Sequence, residues 1–259
     1  MTDTGDTRIR LVIDGQLAII TIARPEKLNA LDYEMVLALE RAAHLVDAAK
    51  TVRAAIIIGE GGMSFCAGGD IDAWSAWSPD DFAFAWVRHG HRAFDALARI
   101  RQPLIAALNG HTLGGGLELA ATADFRIAED HVKLGSPETG LGVIPGWSGT
   151  QRTVRRFGSQ TVRRMALLGE IFTAEEGLRL GLVDAVVQRG GALAAAREMA
   201  ARLMARSPLA TQATKMLINA AEGEESERPL EALAGHAAAG SADLKTGIQA
   251  FKAKNKPRF

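Results

Sequence analysis

Asn109-Gly-His-Thr-Leu-Gly-Gly-Gly-Leu-Glu-Leu119 follows a short apolar run, Leu104 to Leu108, and leads into an apolar helical segment through three glycines. Buried parallel strands are short apolar runs that end at residues such as Asn and Gly. Glycines at the start of a helix leave main-chain amides unpaired at the positive end of its dipole, with no Cβ to hold a ligand away. The stretch therefore predicts a strand-to-helix junction that stabilises negative charge.

A second glycine cluster, Ser64-Phe-Cys-Ala-Gly-Gly-Asp-Ile71, follows another apolar run at Ala54 to Ile58. Tight turns and close packing of helix on strand also explain glycines of this kind. Two acids make the combination more specific, since Glu118 lies just beyond the three glycines and Glu138 lies in a further glycine-rich stretch. Two carboxylates beside charge-stabilising amides suit acid/base chemistry next to a carbonyl group.

The rest of the chain alternates strand and helix signals, which predicts a parallel α/β core. From Ala192 onward the pattern is Ala-rich and helical, broken at Ser207-Pro208 and near Gly223. A β-hairpin is predicted over 11–22, with its turn at Asp14-Gly15. Two helices are predicted next, one that Asp32 caps and that ends near Lys50, and one from Ser78 to about Arg99. A later helix begins with a capping box at Thr173–Glu176 and ends at Gly181, before a strand over 183–187.

The bulk composition excludes several classes of function. The chain has 259 residues, 47% of them apolar, and its 30 Lys and Arg balance its 30 Asp and Glu, so no overall charge recruits nucleic acid or a membrane surface. The single Cys66 excludes an intrachain disulfide, and we interpret it as a core residue. The first ten residues are polar and no apolar run is long enough to span a membrane, so we expect a cytoplasmic protein.

Motifs of other enzyme classes are absent from the sequence. Without Gly-x-Ser-x-Gly a serine hydrolase is disfavoured, and without a phosphate loop or Rossmann fingerprint so is a nucleotide-binding enzyme. No metal site is predicted, because His89 and His91 alternate and no metal-ligand spacing accompanies them. A non-catalytic RNA-binding or scaffold protein stays open as an alternative, although it predicts a basic stripe that the balanced charge does not suggest.

Four motifs resemble, in order, those of the enoyl-CoA hydratase/isomerase (crotonase) family. They are Phe65-Cys-Ala-Gly-Gly-Asp-Ile71, Gly114-Gly-Gly-Leu-Glu-Leu119, Pro137-Glu-Thr-Gly-Leu-Gly142 and Ile144-Pro-Gly-Trp-Ser-Gly-Thr-Gln-Arg152. The resemblance extends from a coenzyme-binding segment at 23–31 to a basic tail at 251–257. It implies a crotonase (ClpP/crotonase-like) α/β fold, a spiral of repeated β-β-α units over 1–195. A helical region over 196–259 would serve oligomerisation and active-site closure, in a homotrimer or a dimer of trimers.

The resemblance also implies a catalytic site. The amides of Gly69 and Gly115 would form an oxyanion hole for the oxygen of an acyl-CoA thioester. Glu118 would activate the water that adds at Cβ, and Glu138 would deliver the proton to Cα. The amide of Gly146 would help to hold the water. No cofactor is implied, since coenzyme A is part of the substrate.

A further set of residues is expected to bind the substrate. Lys27 is the early candidate for a coenzyme A phosphate, although a solvated surface lysine explains it as well. Lys252, Lys254 and Lys256 are weaker candidates of the same kind. The full predicted set of substrate-binding residues is Lys27, Ala30, Ala67, Gly68, Asp70 and Ile71.

The resemblance favours an enoyl-CoA hydratase of lipid metabolism, because family members that only shift a double bond, dehalogenate or decarboxylate often lack one of the two acids. A double-bond isomerase, or a hydratase-lyase that acts on a bulky or aromatic acyl-CoA, stays open. Aromatic residues between Trp74 and Trp86 either line the acyl pocket or anchor a helix to the core. Trp147 and Ser148 stand where the family commonly has small residues, so the pocket has its own shape.

Overall fold

A computed structural model of the chain describes residues 2–225 and 227–259, except for the side chains of residues 227–230. The chain forms two compact units, one that ends at Gln212 and one that spans Ala213–Phe259. The strands of the described residues all belong to the first unit: β1 Ile9–Asp14, β2 Leu17–Ile22, β3 Ala54–Gly59, β4 Ser64–Cys66, β5 Leu104–Leu108, β6 His111–Leu113, β7 Phe125–Glu129, β8 Lys133–Gly135, β9 Ile171–Thr173 and β10 Ala185–Val187.

The large sheet has six strands in the order β1-β2-β3-β5-β7-β10. β1 and β2 form the predicted antiparallel hairpin, whose turn contains Gly15 at a φ of 58°. All other neighbours in this sheet are parallel. β10 is shorter than predicted because Leu182 and Val183 remain in a turn in which both amides donate to the carbonyl of Gly177.

The small sheet has four strands in the order β4-β6-β8-β9. β4, β6 and β8 run parallel, and each follows directly on a strand of the large sheet, namely β3, β5 and β7. The chain therefore adds one strand to each sheet before it enters the next helix. This alternation produces repeated β-β-α units and brings the ends of β4 and β6 together.

Helices of the first unit cover both faces of the large sheet. Two 3-10 turns, Pro25–Lys27 and Glu138–Leu141, and a π-helical segment, Phe82–Val87, accompany them. The helices are α1 Tyr33–Ala48, α2 Ile71–Trp74, α3 Pro79–Asp81, α4 Arg88–Ala98, α5 Gly115–Ala120, α6 Gln151–Phe157, α7 Ser159–Leu168, α8 Ala174–Leu180, α9 Ala192–Met204, α10 Pro208–Ala221, α11 Glu227–Ala239 and α12 Ala242–Lys252.

Caps determine where several of these helices begin. The Asp32 carboxylate accepts a hydrogen bond from the Met35 amide at the start of α1, as predicted. Thr173 and Glu176 form the predicted capping box of α8. The segment predicted as one helix from Ser78 to Arg99 is instead α3, the π-helical segment and α4. Phe82, Trp86 and Val87 of the π-helical segment line the cavity described below.

The core lies on both faces of the large sheet. Ala192, Ala196 and Ala200 recur at helical spacing on α9 and pack on Ile56 and Ile105. Small side chains at these positions let the helix approach the strands closely. On the other face, α1 and α4 enclose the larger cluster that extends to the small sheet.

The second unit, Ala213–Phe259, contains the end of α10 with α11 and α12. Ser241 caps α12 by accepting from the Leu244 amide. The predicted boundary at 195/196 lies within α9, and the predicted roles of the C-terminal region remain predictions. Among the described residues, no helix combines the length and apolarity that crossing a membrane requires.

Candidate active site

A cavity of about 210 Å³ lies where β4 leads into α2 and β6 leads into α5. Its walls bring together residues from four separate stretches of the chain. The predicted site residues that line it are Ala67, Gly68, Gly69, Ile71, Gly115, Glu118, Glu138 and Gly146. Most of its other lining residues are apolar: Trp74, Phe82, Trp86, Val87, Leu113, Leu141, Val143, Ile144 and Trp147. The cavity is therefore an apolar pocket with two carboxyl groups in its wall.

Gly68, the neighbour of Gly69 in the chain, packs against Gly115 in this wall. A Cβ built on Gly68 would come within 3.0 Å of the Gly115 amide nitrogen, and the φ of Gly68 is 97°, a conformation that favours glycine. Gly115 is the first residue of α5, a position whose amide has no partner inside the helix. In the part of the chain that the structure describes, neither the Gly69 amide nor the Gly115 amide donates to another residue. Two unpaired donors thus line one cavity.

The segment before α1 holds the first glycine cluster in place. The Leu31 amide donates to the Gly68 carbonyl at 2.8 Å, and the Asp70 amide donates to the Leu31 carbonyl at 2.7 Å. The Arg24 guanidinium contacts the Asp70 carboxylate at 2.8 Å and donates to the Ala30 carbonyl. Asp70 and Ala30 are buried outside the cavity wall, and their predicted contact with substrate remains a prediction.

Lys27 also lies outside the cavity wall, on the surface. Its ammonium group contacts the Asp72 carboxylate at 2.9 Å, and this hydrogen bond raises the lysine pKa. The side chain therefore keeps its charge and, as an exposed group, is free to exchange Asp72 for a phosphate. Lys252, Lys254 and Lys256 are exposed in the second unit.

Glu118 is a buried acid on α5. Its Oε1 accepts a hydrogen bond from the Trp147 amide at 2.8 Å. Burial is the main cause that raises its pKa, and the charge of Glu138 raises it further. Amide donors from Trp147 and Gly149, together with the charge of Arg152, oppose that rise, and the resulting pKa is about 8.

Glu138 opens the 3-10 turn Glu138–Leu141 and is half-buried. A Cβ built on Gly114, the residue before α5, would lie 3.3 Å from Oε1 of Glu138. Its Oε2 accepts from the Ser136 hydroxyl at 2.7 Å. Its Oε1 is shielded from solvent and has no hydrogen-bond partner among the described residues. Burial raises the pKa of Glu138, and the Ser136 hydrogen bond partly opposes the rise.

The two acids together hold one proton more readily than none. Each carboxylate is costly to bury, and the Glu138 charge makes ionisation of Glu118 more costly. Protonation of Glu138 removes that repulsion, and the amide donors then offset part of the cost that burial imposes on the Glu118 anion. The unpartnered Oε1 of Glu138 suits a carboxyl that donates a proton. The arrangement can therefore supply one base and one acid.

A polar cluster lies beside Glu118. The fully buried Arg152 donates to the Asp95 carboxylate at 2.6 Å. The Ser148 hydroxyl lies 2.9 Å from Nε2 of His91 and 3.4 Å from Asp95. Ser148 has a φ of 70°, a strained conformation for a residue with a Cβ, and its hydrogen bonds offset part of that strain. The cluster fixes the turn that carries the Trp147 amide.

Trp147 forms the wall next to the two glycines. A Cβ on Gly115 would lie 2.9 Å from the six-membered ring of Trp147, and one on Gly69 would lie 2.7 Å from the ring of Trp86. The Trp147 indole donates to the Trp86 carbonyl at 3.2 Å. It also lies so close to Gly90 of α4 that any Cβ there would overlap it. Glycine at position 90 is thus required by the tryptophan.

Sequence reasoning missed part of this site. Ser136 carries a weak signal, a hydroxyl two residues before an acid in a glycine-rich stretch. Trp147 stands out only as a departure from the family pattern, and nothing local indicates that its amide holds Glu118. Gly90 gives no signal at all, because its neighbour Trp147 is distant in sequence.

Cys66, His89 and His91 do not line the cavity. Cys66 belongs to the core as predicted, and burial raises the pKa of its thiol to about 12, so the reactive thiolate does not form at neutral pH. His89 contacts the Tyr33 hydroxyl, and His91 contacts Ser148. Across residues 2–225 and 227–259, no group of three or more His, Cys, Asp or Glu side chains is placed to hold a metal ion.

Comparisons with known proteins cover almost the whole chain. A sequence model of the family described as Enoyl-CoA hydratase/isomerase matches residues 13–259. The crotonyl-CoA hydratase of Syntrophomonas wolfei is 35% identical over 251 residues, which are 95% of this chain and 95% of that protein.

Solved structures are similar over the same extent. Pseudomonas aeruginosa DspI has a TM-score of 0.82 and 32% identity, over 98% of this chain and 97% of the other. A Bacillus anthracis enoyl-CoA hydratase has a TM-score of 0.81 and 29% identity, over 98% and 99%. These likenesses confirm the predicted crotonase-type α/β fold.

Proposed function

The chain belongs to the enoyl-CoA hydratase/isomerase family, and on that premise we propose that it is an enoyl-CoA hydratase, which adds water across the 2,3 double bond of an enoyl-CoA thioester. One observation carries the proposal: Gly69, Gly115, Glu118 and Glu138 line a single cavity. Hydration needs an oxyanion site, a base and an acid around one acyl group, and these residues can supply all three.

The first step of the reaction moves charge onto the thioester oxygen. When the water oxygen bonds to Cβ, the electron pair of the double bond shifts toward Cα and the carbonyl, which gains enolate character. The unpaired amides of Gly69 and Gly115 are donors for that oxygen. A preorganised donor of this type contributes about 3–4 kcal/mol to transition-state stabilisation.

The two glutamates balance the protons. Glu118 takes a proton from the water as its oxygen bonds to Cβ, and Glu138 gives a proton to Cα. The reactive form has Glu118 ionised and the proton on Glu138, and proton exchange with solvent restores it. Because the pKa of Glu118 is about 8, the population of this form rises as the pH approaches that value. The amides that stabilise the Glu118 anion, and the Glu138 oxygen that lacks a partner among the described residues, support this division of roles. The Gly146 amide is the proposed further donor to the water, and coenzyme A enters only as part of the substrate.

Glu118→Gln and Glu138→Gln test the proposal. Each substitution keeps the shape of the side chain and removes its ability to exchange a proton, so kcat for hydration of crotonyl-CoA should fall about 10²–10⁴-fold. Calorimetric affinity for coenzyme A should stay within about twofold of the parent. Glu60→Gln, at a partly exposed acid outside the cavity wall that pairs with Arg10, is the matched control and should keep full activity. Full activity in either active-site variant contradicts the assigned roles.

The proposal extends to the setting of the enzyme. The enzyme would act on acyl-CoA of lipid metabolism in the cytoplasm, and the free thiol of Cys66 suits such a reducing compartment. It would assemble as a homotrimer or a dimer of trimers, and the apolar side chains exposed on α12 agree with such an assembly. A double-bond isomerase is the second candidate, and crotonyl-CoA hydration without activity on a 3-enoyl thioester distinguishes the two.

A further inference from the structure

Three indoles surround the position that an acyl group takes beside the two glycine amides. Trp86, Trp74 and Trp147 supply the atoms nearest to a Cβ built on Gly69. All three line the cavity. The surface next to the proposed oxyanion hole is therefore flat and aromatic on several sides.

This aromatic wall is fixed in place by its surroundings. The Trp147 ring packs edge-on against Phe94, with centroids 5.1 Å apart and an interplanar angle of 64°. It also packs against Trp86 at 5.0 Å and donates a hydrogen bond to the Trp86 carbonyl. Gly90 removes the Cβ that would otherwise push the ring away. These contacts with Phe94, Trp86 and Gly90 prevent the Trp147 ring from rotating aside to admit an alkyl chain.

Fixed aromatic walls favour some acyl groups over others. A planar aryl or conjugated group contacts indoles through its π system and has few rotatable bonds to order on binding. A flexible alkyl chain with the same number of carbons gains no such ring contact and loses more conformational freedom.

On the basis of the proposed function, we propose that Trp147 is a specificity-determining residue that makes this enzyme prefer acyl-CoA thioesters with a planar aryl or conjugated group at Cβ over those with an alkyl chain. Trp147 has this role because it packs beside both Gly69 and Gly115. Its main-chain amide holds Glu118, so the residue that shapes the pocket also fixes the proposed base at a set distance from it. Substitution of the side chain leaves that amide in place.

Equilibrium binding of two unreactive thioesters tests the preference. The probes are 3-phenylpropanoyl-CoA and nonanoyl-CoA, which have equal numbers of acyl carbons and no 2,3 double bond, and the measurement is calorimetric Kd. The parent enzyme should bind the phenyl probe about tenfold more tightly. Trp147→Leu should reduce this ratio to about one, and Trp147→Phe should retain part of it.

Trp77→Leu is the matched control. Trp77 belongs to the same aromatic cluster, since it packs against Trp86 and Tyr33, but it does not line the cavity. Its substitution should leave the ratio within about twofold of the parent. Thermal melts of each variant establish that it is folded.

The outcomes separate this inference from the proposed function. Equal or tighter binding of nonanoyl-CoA by the parent overturns the inference, whether or not the variants fold. An unchanged ratio in folded Trp147→Leu overturns the role of that residue. Because neither probe has a 2,3 double bond to hydrate, the measured binding ratio does not depend on hydratase activity. Absence of crotonyl-CoA hydration would instead reject the proposed function and leave the binding preference standing.

Discussion

At the scale of single residues, Glu118 shows how burial and hydrogen bonding compete for one carboxyl group. Burial and the nearby Glu138 raise its pKa, while the amides of Trp147 and Gly149 lower it. An acid left with a pKa of about 8 is one that gains and loses a proton near neutral pH. The contribution of Glu118 to the free energy of unfolding therefore depends on pH.

The stability of Glu118→Gln should depend on pH in a defined direction. The folded-state pKa of about 8 exceeds the ordinary value of 4.5, so the folded protein holds the proton over this range while the unfolded chain releases it. The parent then loses stability as the pH rises from about 4.5 to about 8, and the variant does not. The Tm of Glu118→Gln relative to the parent should rise across that window, by ~2–4 °C for each 1 kcal/mol. A difference that stays constant across it would contradict the burial assigned to Glu118.

Glu176 supplies a control of opposite sign. Hydrogen bonds from the amide and hydroxyl of Thr173 lower the pKa of this exposed acid in the capping box. Its contribution to stability is present above the ordinary carboxyl pKa and is lost as the pH falls through the lowered value. Glu176→Gln should thus lower Tm at neutral pH, and the loss should disappear in acid. Scanning calorimetry from about pH 2.5 to about pH 8.5 covers the pH windows of both variants.

At the scale of elements, the start of α5 joins helix physics to the proposed chemistry. Gly115 is the first residue of the helix, a position that tolerates proline because its amide makes no helical hydrogen bond. The same amide is the proposed donor to the thioester oxygen. A substitution there can remove the donor without removing a helical bond.

Gly115→Pro should lower kcat/KM for crotonyl-CoA at least about 10²-fold, the effect of removing one oxyanion donor. The added side chain also meets the Trp147 ring, so Gly115→Ala is the matched control, with the same Cβ and an intact amide. The alanine variant measures the steric cost alone. If the two variants lose equal activity while both stay folded by circular dichroism, the Gly115 amide is not the donor.

Elements with local signals were predictable, and elements set by distant contacts were not. The hairpin at Asp14-Gly15 and the capping box at Thr173 have turn and cap chemistry within a few residues, so the sequence predicts them. β4, β6 and β8 have three residues each, too few to show a period, and only the family resemblance implied their β-β-α pattern. The π-helical segment Phe82–Val87 follows an ordinary helix start, and nothing in its sequence separates it from an α-helix.

The same contrast applies to the candidate site. Glycine clusters and nearby acids predict Gly69, Gly115, Glu118 and Glu138, and the structure brings them to one cavity. The contact of Trp147 with Gly90 depends on how the turn after Ile144 packs on α4, which no local pattern encodes. Side chains that shape a pocket are thus harder to predict than the main-chain groups that perform its chemistry.

At the scale of the whole molecule, the second unit carries an apolar face that the described residues of that unit leave uncovered. Leu244, Ile248 and Phe251 recur at helical spacing on α12, and Phe251 is 84% exposed. Aligned apolar side chains on one helix face are costly to hydrate and are stabilised when another surface covers them. The predicted trimer supplies such a surface through a second copy of the chain.

Light scattering after size exclusion should give three or six times the 27.5 kDa chain mass. Replacing Ile248 and Phe251 together by Asp places two charges on the face that association would bury, so the trimer should dissociate at concentrations where the parent stays assembled. Gln249→Asp adds one charge at a neighbouring exposed polar position and should leave the mass unchanged. A monomeric parent, or an assembly that the double variant leaves intact, excludes this face of α12 as the interface. If the separated variant still binds 3-phenylpropanoyl-CoA as the parent does, the pocket beside Gly69 and Gly115 is complete within one chain.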